Sequence, residues 1–244
     1  MKNLKTIVYL FLLLSIVVLG GCKKNAGNTP APLVKTRNIA SFDTENFTYD
    51  AQGRVINKVT KGIPLSISYS YNGNTITLVE DTYNIYQYTY FYTLGSNGLV
   101  TNENLNSLNV ITSVSAAFID FKKWTYDSDG HLITETTADS SGKQYYSLHN
   151  TWTGGNLTLK IETSGGKDDS FLYTYSNQKS TIENENMGMS WYGKGSENLP
   201  TTRKTNRLFY KKEITYRYTY DAAGSVTTVI DDVTNDILES YTYY

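Results

Sequence analysis

The sequence predicts an all-β fold: an antiparallel meander of about fourteen or fifteen strands, curled into a barrel or half-barrel. Three observations carry that expectation. One phrase is written three times, as Tyr49-Asp50-Ala51-Gln52-Gly53-Arg54-Val55, Tyr126-Asp127-Ser128-Asp129-Gly130-His131-Leu132 and Tyr220-Asp221-Ala222-Ala223-Gly224-Ser225-Val226. Tyr86, Tyr88, Tyr90 and Tyr92 alternate with Gln87, Thr89 and Phe91, the period of a strand with two unlike faces. And 22 of the 244 residues are tyrosine while 4 are proline, so a strand-favouring side chain supplies the bulk of the core.

The phrase is a strand–turn–strand. Asp50 to Gly53, Asp127 to Gly130 and Asp221 to Gly224 each have the spacing of a type I turn closed by a left-handed glycine. The aspartate accepts from backbone N–H groups inside the turn. Asn72-Gly73 is the strongest short hairpin signal. Gly95-Ser96-Asn97-Gly98, Gly154-Gly155-Asn156 and Ser176-Asn177 are weaker copies. The repeat is about 22 to 31 residues, which is two strands and two turns. Looser turns lie between, at residues 61–64, 138–142, 164–169 and 231–236, so tight turns should gather at one end of the sheet. Residues 103–117 have no clean period, and residues 184–206 form the longest polar insertion. Tyr241-Thr242-Tyr243-Tyr244 reads as a terminal strand.

A sheet of this length twists until it curls, splits or closes. The tyrosines should turn inward. The opposite face, read as carrying Lys122, Lys160, Lys211, Arg217 and many Thr and Ser residues, offers no lipid-facing band, so the barrel should not span a membrane.

The N-terminus carries an address. Lys2 and Lys5 precede an apolar run from Ile7 to Leu19, too short for a membrane span and of signal-peptide length. It ends in Leu19-Gly20-Gly21-Cys22, which resembles a bacterial lipobox. Leu19, Gly20 and Gly21 would be read by the signal peptidase, and the Cys22 thiol would carry the lipid. The expected organisation is a signal peptide at 1–21, a lipid-anchored tether at 22–40 and one β domain at 41–244. Lysine, not aspartate, follows Cys22, which by analogy favours the outer membrane of a Gram-negative cell, on its periplasmic side. The single cysteine excludes an internal disulfide, and a net charge of −1 gives no steering towards nucleic acid.

Chemistry is sparse. Asp127-Ser128-Asp129-Gly130 lacks the further oxygen ligands of a calcium loop, and a hairpin turn explains it. Residues 188–195 almost spell a phosphate loop, but Gly195 stands where Ser or Thr is required. His131 and His149 are the only histidines, and neither zinc pairing nor a serine elbow is marked. His131, directly after a turn glycine, is expected at the surface. Glu183 and Glu185 are a carboxylate pair, expected to be solvated. No cofactor or metal is expected. Trp191 and Tyr192 sit on the polar insertion and form the candidate recognition loop, unless Trp191 folds back to plug the barrel end.

The Tyr-Asp-x-x-Gly phrases resemble the YD repeats of Rhs-type wall and toxin-shell proteins. The chain from roughly residue 38 to 244 resembles a family of Bacteroidota lipoproteins of unknown function, described as having a porin-like fold. The lipobox, the hairpin phrases, Asn198-Leu199-Pro200-Thr201 and the closing Tyr-Thr-Tyr strand carry the likeness. Ser225 departs from it, where the family often has an aromatic residue. The resemblance implies a barrel and no activity.

The sequence therefore points to a non-enzymatic envelope lipoprotein that binds a glycan, a peptide or an envelope protein. The alternatives are a periplasmic carrier with an aromatic-lined cavity for a lipophilic ligand, and a hydrolase with an unmarked carboxylate site. Cys22→Ser should abolish incorporation of radiolabelled palmitate into the expressed chain. Undiminished labelling would refute the lipobox reading.

Overall fold

The computed structural model describes residues 32–39, 44–83, 85–109, 114–116, 120–207 and 210–244. Leu19, Gly20, Gly21 and Cys22 lie outside the described residues. The strands are β1 (Val34–Ile39), β2 (Thr44–Tyr49), β3 (Val55–Lys61), β4 (Leu65–Asn72), β5 (Thr75–Thr82), β6 (Tyr86–Leu94), β7 (Val100–Asn109), β8 (Val114–Ala116) and β9 (Asp120–Tyr126). They continue as β10 (Leu132–Asp139), β11 (Gln144–Thr153), β12 (Asn156–Ser164), β13 (Lys167–Lys179), β14 (Asn198–Arg207), β15 (Tyr210–Tyr220), β16 (Val226–Asp231) and β17 (Ile237–Tyr243).

Each strand pairs antiparallel with the next, β7 passes the ladder to β9, and β1 pairs with β17 through Arg37 opposite Tyr241. The result is a closed ring of sixteen strands, with β8 adding only to the end of β7. Closure removes both sheet edges.

Three stretches of the sequence misled the strand count. β1 lies inside the segment expected to be tether, because the folded unit begins at Pro32. The aperiodic stretch after Glu103 continues β7 to Asn109. The polar insertion ends early, and Asn198–Arg207 is the full strand β14. The expected split into tight and loose ends also fails. Asp139, at the end opposite the YD turns, accepts from the Ser141 and Lys143 N–H groups at 2.9 and 3.0 Å, with Gly142 at φ 83°. Ser164 pairs directly with Lys167 across a two-residue glycine turn.

The YD turns are built as their spacing predicts. Asp50 Oδ1 accepts from the N–H of Gln52 (3.0 Å) and of Arg54 (2.9 Å), and Gly53 sits at φ 75°. Asp127 and Asp221 repeat this, with Gly130 and Gly224 at φ 93° and 83°. At Asn72-Gly73 the register is one residue later than the motif suggests. Asn72 pairs with Thr75, so Gly73 and Asn74 make the turn.

Side chains alternate across the wall. The outer face is laced with hydroxyl pairs between neighbouring strands, such as Thr36 with Thr242 (2.7 Å), Thr125 with Thr134 (2.6 Å) and Thr219 with Thr227 (2.8 Å). Ser66, Ser68 and Ser70 continue it on β4. A barrel in lipid needs an apolar outer band, which this face does not have, so the barrel is not membrane-spanning. Lys122 and Lys160 do not belong to that face. Lys122 lies opposite buried Glu103, and Lys160 opposite buried Asn150, so both point inward. A lysine is not by itself a sign of the outer face, since the strand period sets both of these side chains inward.

The inward tyrosines hold the rim at the YD end. The Tyr49 hydroxyl donates to the Val34 carbonyl at 2.6 Å, across β2 and β1. The same clasp joins Tyr71 to Val55 (2.6 Å), Tyr175 to Leu157 (2.7 Å), Tyr218 to Pro200 (2.6 Å) and Tyr243 to Val226 (2.7 Å). On β11 the Trp152 indole N–H takes the role, donating to Leu132 at 2.8 Å. The aliphatic residue closing the phrase thus has two duties. Val55 and Val226 are fully buried, and their carbonyls receive a phenol. Tyr218→Phe should lower stability by about 1 kcal/mol, the net worth of one such bond. Urea denaturation checks this, and an unchanged midpoint would mean that the clasp contributes nothing.

Candidate functional site

Residues 180–197, between β13 and β14, form a plug. It contains two short 3₁₀ turns, Asn184–Met187 and Ser190–Tyr192. It is tied to the glycine turns of the rim one after another. The Val55 N–H donates to the Gly188 carbonyl (3.2 Å), and the Lys194 N–H donates to the Gly130 carbonyl (2.9 Å). The Val226 N–H donates to the Thr181 hydroxyl (2.9 Å), and the Glu197 N–H to the Gly155 carbonyl (3.0 Å). All three YD phrases therefore dock the plug.

This explains the near-match to a phosphate loop. A Cβ on Gly188 would lie 2.7 Å from the Gly53 carbonyl oxygen, and one on Gly193 would lie 2.7 Å from the Gly130 carbonyl oxygen. The glycines are there so that backbone can lie on backbone. Buried Asn186 completes the seat by donating to the Pro32 carbonyl at 3.1 Å, beside the start of β1.

The expected recognition loop is turned inward. Trp191 is 5 % exposed and packs on Tyr192, Tyr92 and Tyr69, with ring centres 4.0, 5.1 and 6.4 Å apart. The Tyr192 hydroxyl donates to that of Tyr92 at 3.0 Å. Burial pushes the Tyr192 phenol up to about 12, so it stays protonated near neutrality. Of the two sequence readings of Trp191, the structure has the plug. Together with Phe47, Ile76, Leu78 and Trp124 these rings form the apolar core, at the YD end of the barrel.

His131 is likewise not at the surface. It is 6 % exposed and stacks on Trp152 at 4.4 Å. Its imidazole Nδ1 lies 3.0 Å from Asp127, and Asp127, Asp129 and His131 bring their ligand atoms within 4.8 Å of one another. Yet Asp127 already receives two backbone N–H groups and the imidazole, which are the contacts of the turn itself. His149 is exposed on the outer wall.

Of the carboxylate pair, Glu183 is enclosed rather than solvated, while Glu185 stays half-buried and borders an open pocket at the rim. Burial pushes Glu183 up to about 7, against the pull of the Ser180 hydroxyl and with the push of the Glu185 charge. Its carboxyl lies where a Cβ on Gly195 would sit. A carboxyl that binds its proton more tightly when folded stabilises most at low pH. That contribution is lost as pH rises from the ordinary 4.5 through about 7. Glu183→Gln should therefore match the wild-type melting temperature at pH 4 and exceed it at pH 8. Equal melting temperatures at both pH values would contradict the burial of this carboxyl.

Away from the plug the interior changes character. Inward side chains there are mixed: Leu148, Phe171 and Ile214 are buried, and among them stand charged groups, some of which keep contact with solvent. Lys122 and Lys160 keep 32 % and 28 % of their side-chain surface exposed although they point into the ring. Arg37 forks onto Glu239 (3.0 and 3.2 Å), Lys58 reaches Glu45 (2.8 Å) and Lys122 reaches Glu103 (3.4 Å). Glu103 is itself buried, and burial raises its carboxyl above the ordinary value against the pull of Lys122. Tyr86 and Tyr88 stack at 6.3 Å on the same wall, with Tyr86 well exposed. The lumen is thus filled by apolar groups at one end and lined by polar, partly solvent-exposed groups among buried ones at the other. Sequence reasoning missed this second half because its residues look like those of an outer face. The available signal was their register with the tyrosines.

Solved structures share this architecture. A porin-like protein from Bacteroides uniformis ATCC 8492 superposes with a TM-score of 0.62 at 15 % identity, covering 86 % of this chain and 95 % of that one. A porin-like protein from Bacteroides vulgatus ATCC 8482 gives 0.57 at 12 % identity, covering 87 % and 99 %. At such identities the likeness is one of fold. No family model matches the chain, and no curated protein matches it.

Proposed function

We propose that this chain is a non-enzymatic envelope lipoprotein, anchored through Cys22, whose plugged barrel holds a polar ligand, glycan or peptide, in the wet half of its lumen. One observation carries the reading. Inward-pointing Lys122 and Lys160 remain about one-third exposed inside a closed ring, so the lumen admits water and small polar solutes. The Tyr86–Tyr88 stack offers a flat apolar surface among charged neighbours, a combination that suits sugar rings and peptide bonds alike. An acyl anchor would join the barrel at Pro32, on the plug side. The envelope location rests on the lipobox, and the porin-like neighbours from Bacteroides are compatible with it.

The other two readings find less support. A lipophilic cargo needs an apolar cavity, and the apolar part of the interior is packed by Trp191, Met187 and their neighbours. A hydrolase needs a proton donor within reach of substrate. Glu183 is enclosed by the plug and Glu103 is 2 % exposed.

Native mass spectrometry of the full chain, released gently from cell membranes into detergent, tests the proposal. A discrete adduct of a polar small molecule, lost in Tyr88→Ala, is expected. A bare mass under the gentlest conditions would overturn it.

A further inference from the structure

Among the described residues the inward-facing cations generally have a carboxylate partner, and Arg203 is an exception to that rule. Arg37 has Glu239 and Glu45, Lys58 has Glu45, Lys122 has Glu103, Lys160 has Glu162, and Lys212 approaches Asp231 at 4.0 Å. Arg203 on β14 has no carboxylate within ion-pair distance among the described residues. It points inward, since it lies opposite Tyr173 on β13 and buried Ile214 on β15. Its Nε is buried and has no hydrogen-bond acceptor. A buried Nε donor with no partner is costly, and native folds seldom leave one so without a reason.

Its neighbours break a rule as well. Tyr173 lies opposite Arg203 across the β13–β14 ladder, and both the Tyr173 and Tyr216 phenols feel its charge, along with the more distant charges of Glu162 on the first and of Glu239 and Asp231 on the second. Their neighbours along the same strands, Tyr175 and Tyr218, each donate to a backbone carbonyl, at 2.7 and 2.6 Å. Tyr173 and Tyr216 make no such clasp. The guanidinium fork and the two hydroxyls beside it are rich in donors, and no carboxylate lies within ion-pair distance of Arg203 among the described residues. A carboxylate supplies two acceptor oxygens in one plane, which is what the guanidinium fork fits.

We infer that Arg203, flanked by Tyr173 and Tyr216, is the anchor for the carboxylate of an acidic ligand held in the lumen. This rests on the reading of the lumen as a ligand site and narrows it. The carboxylate belongs either to a sugar acid or to a peptide C-terminus. A neutral sugar or an amidated peptide would leave Arg203 as it stands, unpaired.

Calorimetric titration of the full chain in detergent micelles tests this, with glucuronate and N-acetyl-dialanine as acidic probes and glucose and N-acetyl-dialanine amide as neutral ones. The expected result is saturable one-to-one binding of one acidic probe, at least about tenfold tighter than its neutral counterpart. Whichever acid binds names the source of the carboxylate. Arg203→Met should erase that preference, Arg203→Lys should weaken it because an ammonium lacks the fork, and Tyr173→Phe should reduce it severalfold. Arg217→Met, on the outer wall, should change nothing. Should Arg203→Met fail to fold, Arg203→Lys and Tyr173→Phe carry the test. If acidic and neutral probes bind equally, or if these variants keep the full preference, the inference is overturned while the lumen site stands. If no probe binds, both fall.

Discussion

A ring of sixteen strands is too wide for its own inward side chains to fill. The rest of the structure answers that constraint. Eight strands make an interior that side chains can close, and twice that number leaves a channel. This chain closes one end with a piece of itself, residues 180–197, and must then hold that piece in place without a disulfide. It does so with backbone. The recurrent turns present the Gly130 and Gly155 carbonyls and the Val55 and Val226 N–H groups along the rim, and the plug meets them with its own backbone and with Thr181. The thrice-written phrase is therefore both hairpin and docking point. Its tyrosine faces the core, and at Tyr49 it also clasps the neighbouring strand.

The two halves of the lumen follow from the plug. Where Trp191 and Met187 fill the space, the wall answers with Phe47, Ile76, Leu78 and Tyr92, and the core is dry. Beyond the plug fewer apolar groups meet, and inward positions also carry charges that pair along the wall, as Arg37 does with Glu239. Such pairs cost less in a wet lumen than they would in a dry core, because water still reaches part of each group. The outer wall needs neither solution, and it is stitched by threonines.

Much of this was legible in the sequence. Alternating tyrosines gave the strands and their inner face, and the Asp-x-x-Gly spacing gave the turns with the carboxylate in its correct role. What was not legible depended on contacts far apart in the chain. Val34–Ile39 looks like linker until it is seen to pair with both β17 and β2. Asn198–Arg207 reads as a polar insertion because Leu199 is its only large apolar residue, and its inward positions otherwise include Arg203 and Thr205. Lys122 and Lys160 misled for the same reason. Gly188 and Gly193 looked like a loop for phosphate because close approach to a phosphate and close approach to a backbone carbonyl both require a residue without a side chain. Arg203 leaves no trace in the sequence at all, since its distinction is the absence of a carboxylate partner.

The most direct test of the account is hydrogen exchange on Gly188→Val compared with the wild type. A side chain there would press on the Gly53 carbonyl, the Tyr49 ring and the Val55 N–H, each 2.7 Å from its Cβ. The account predicts faster exchange across residues 181–197 and at the Val55 N–H, with the ladder between β11 and β12 still protected. Unchanged protection of the plug would show that it is not seated on the turn, and would contradict the claim that the repeated phrase exists to hold it.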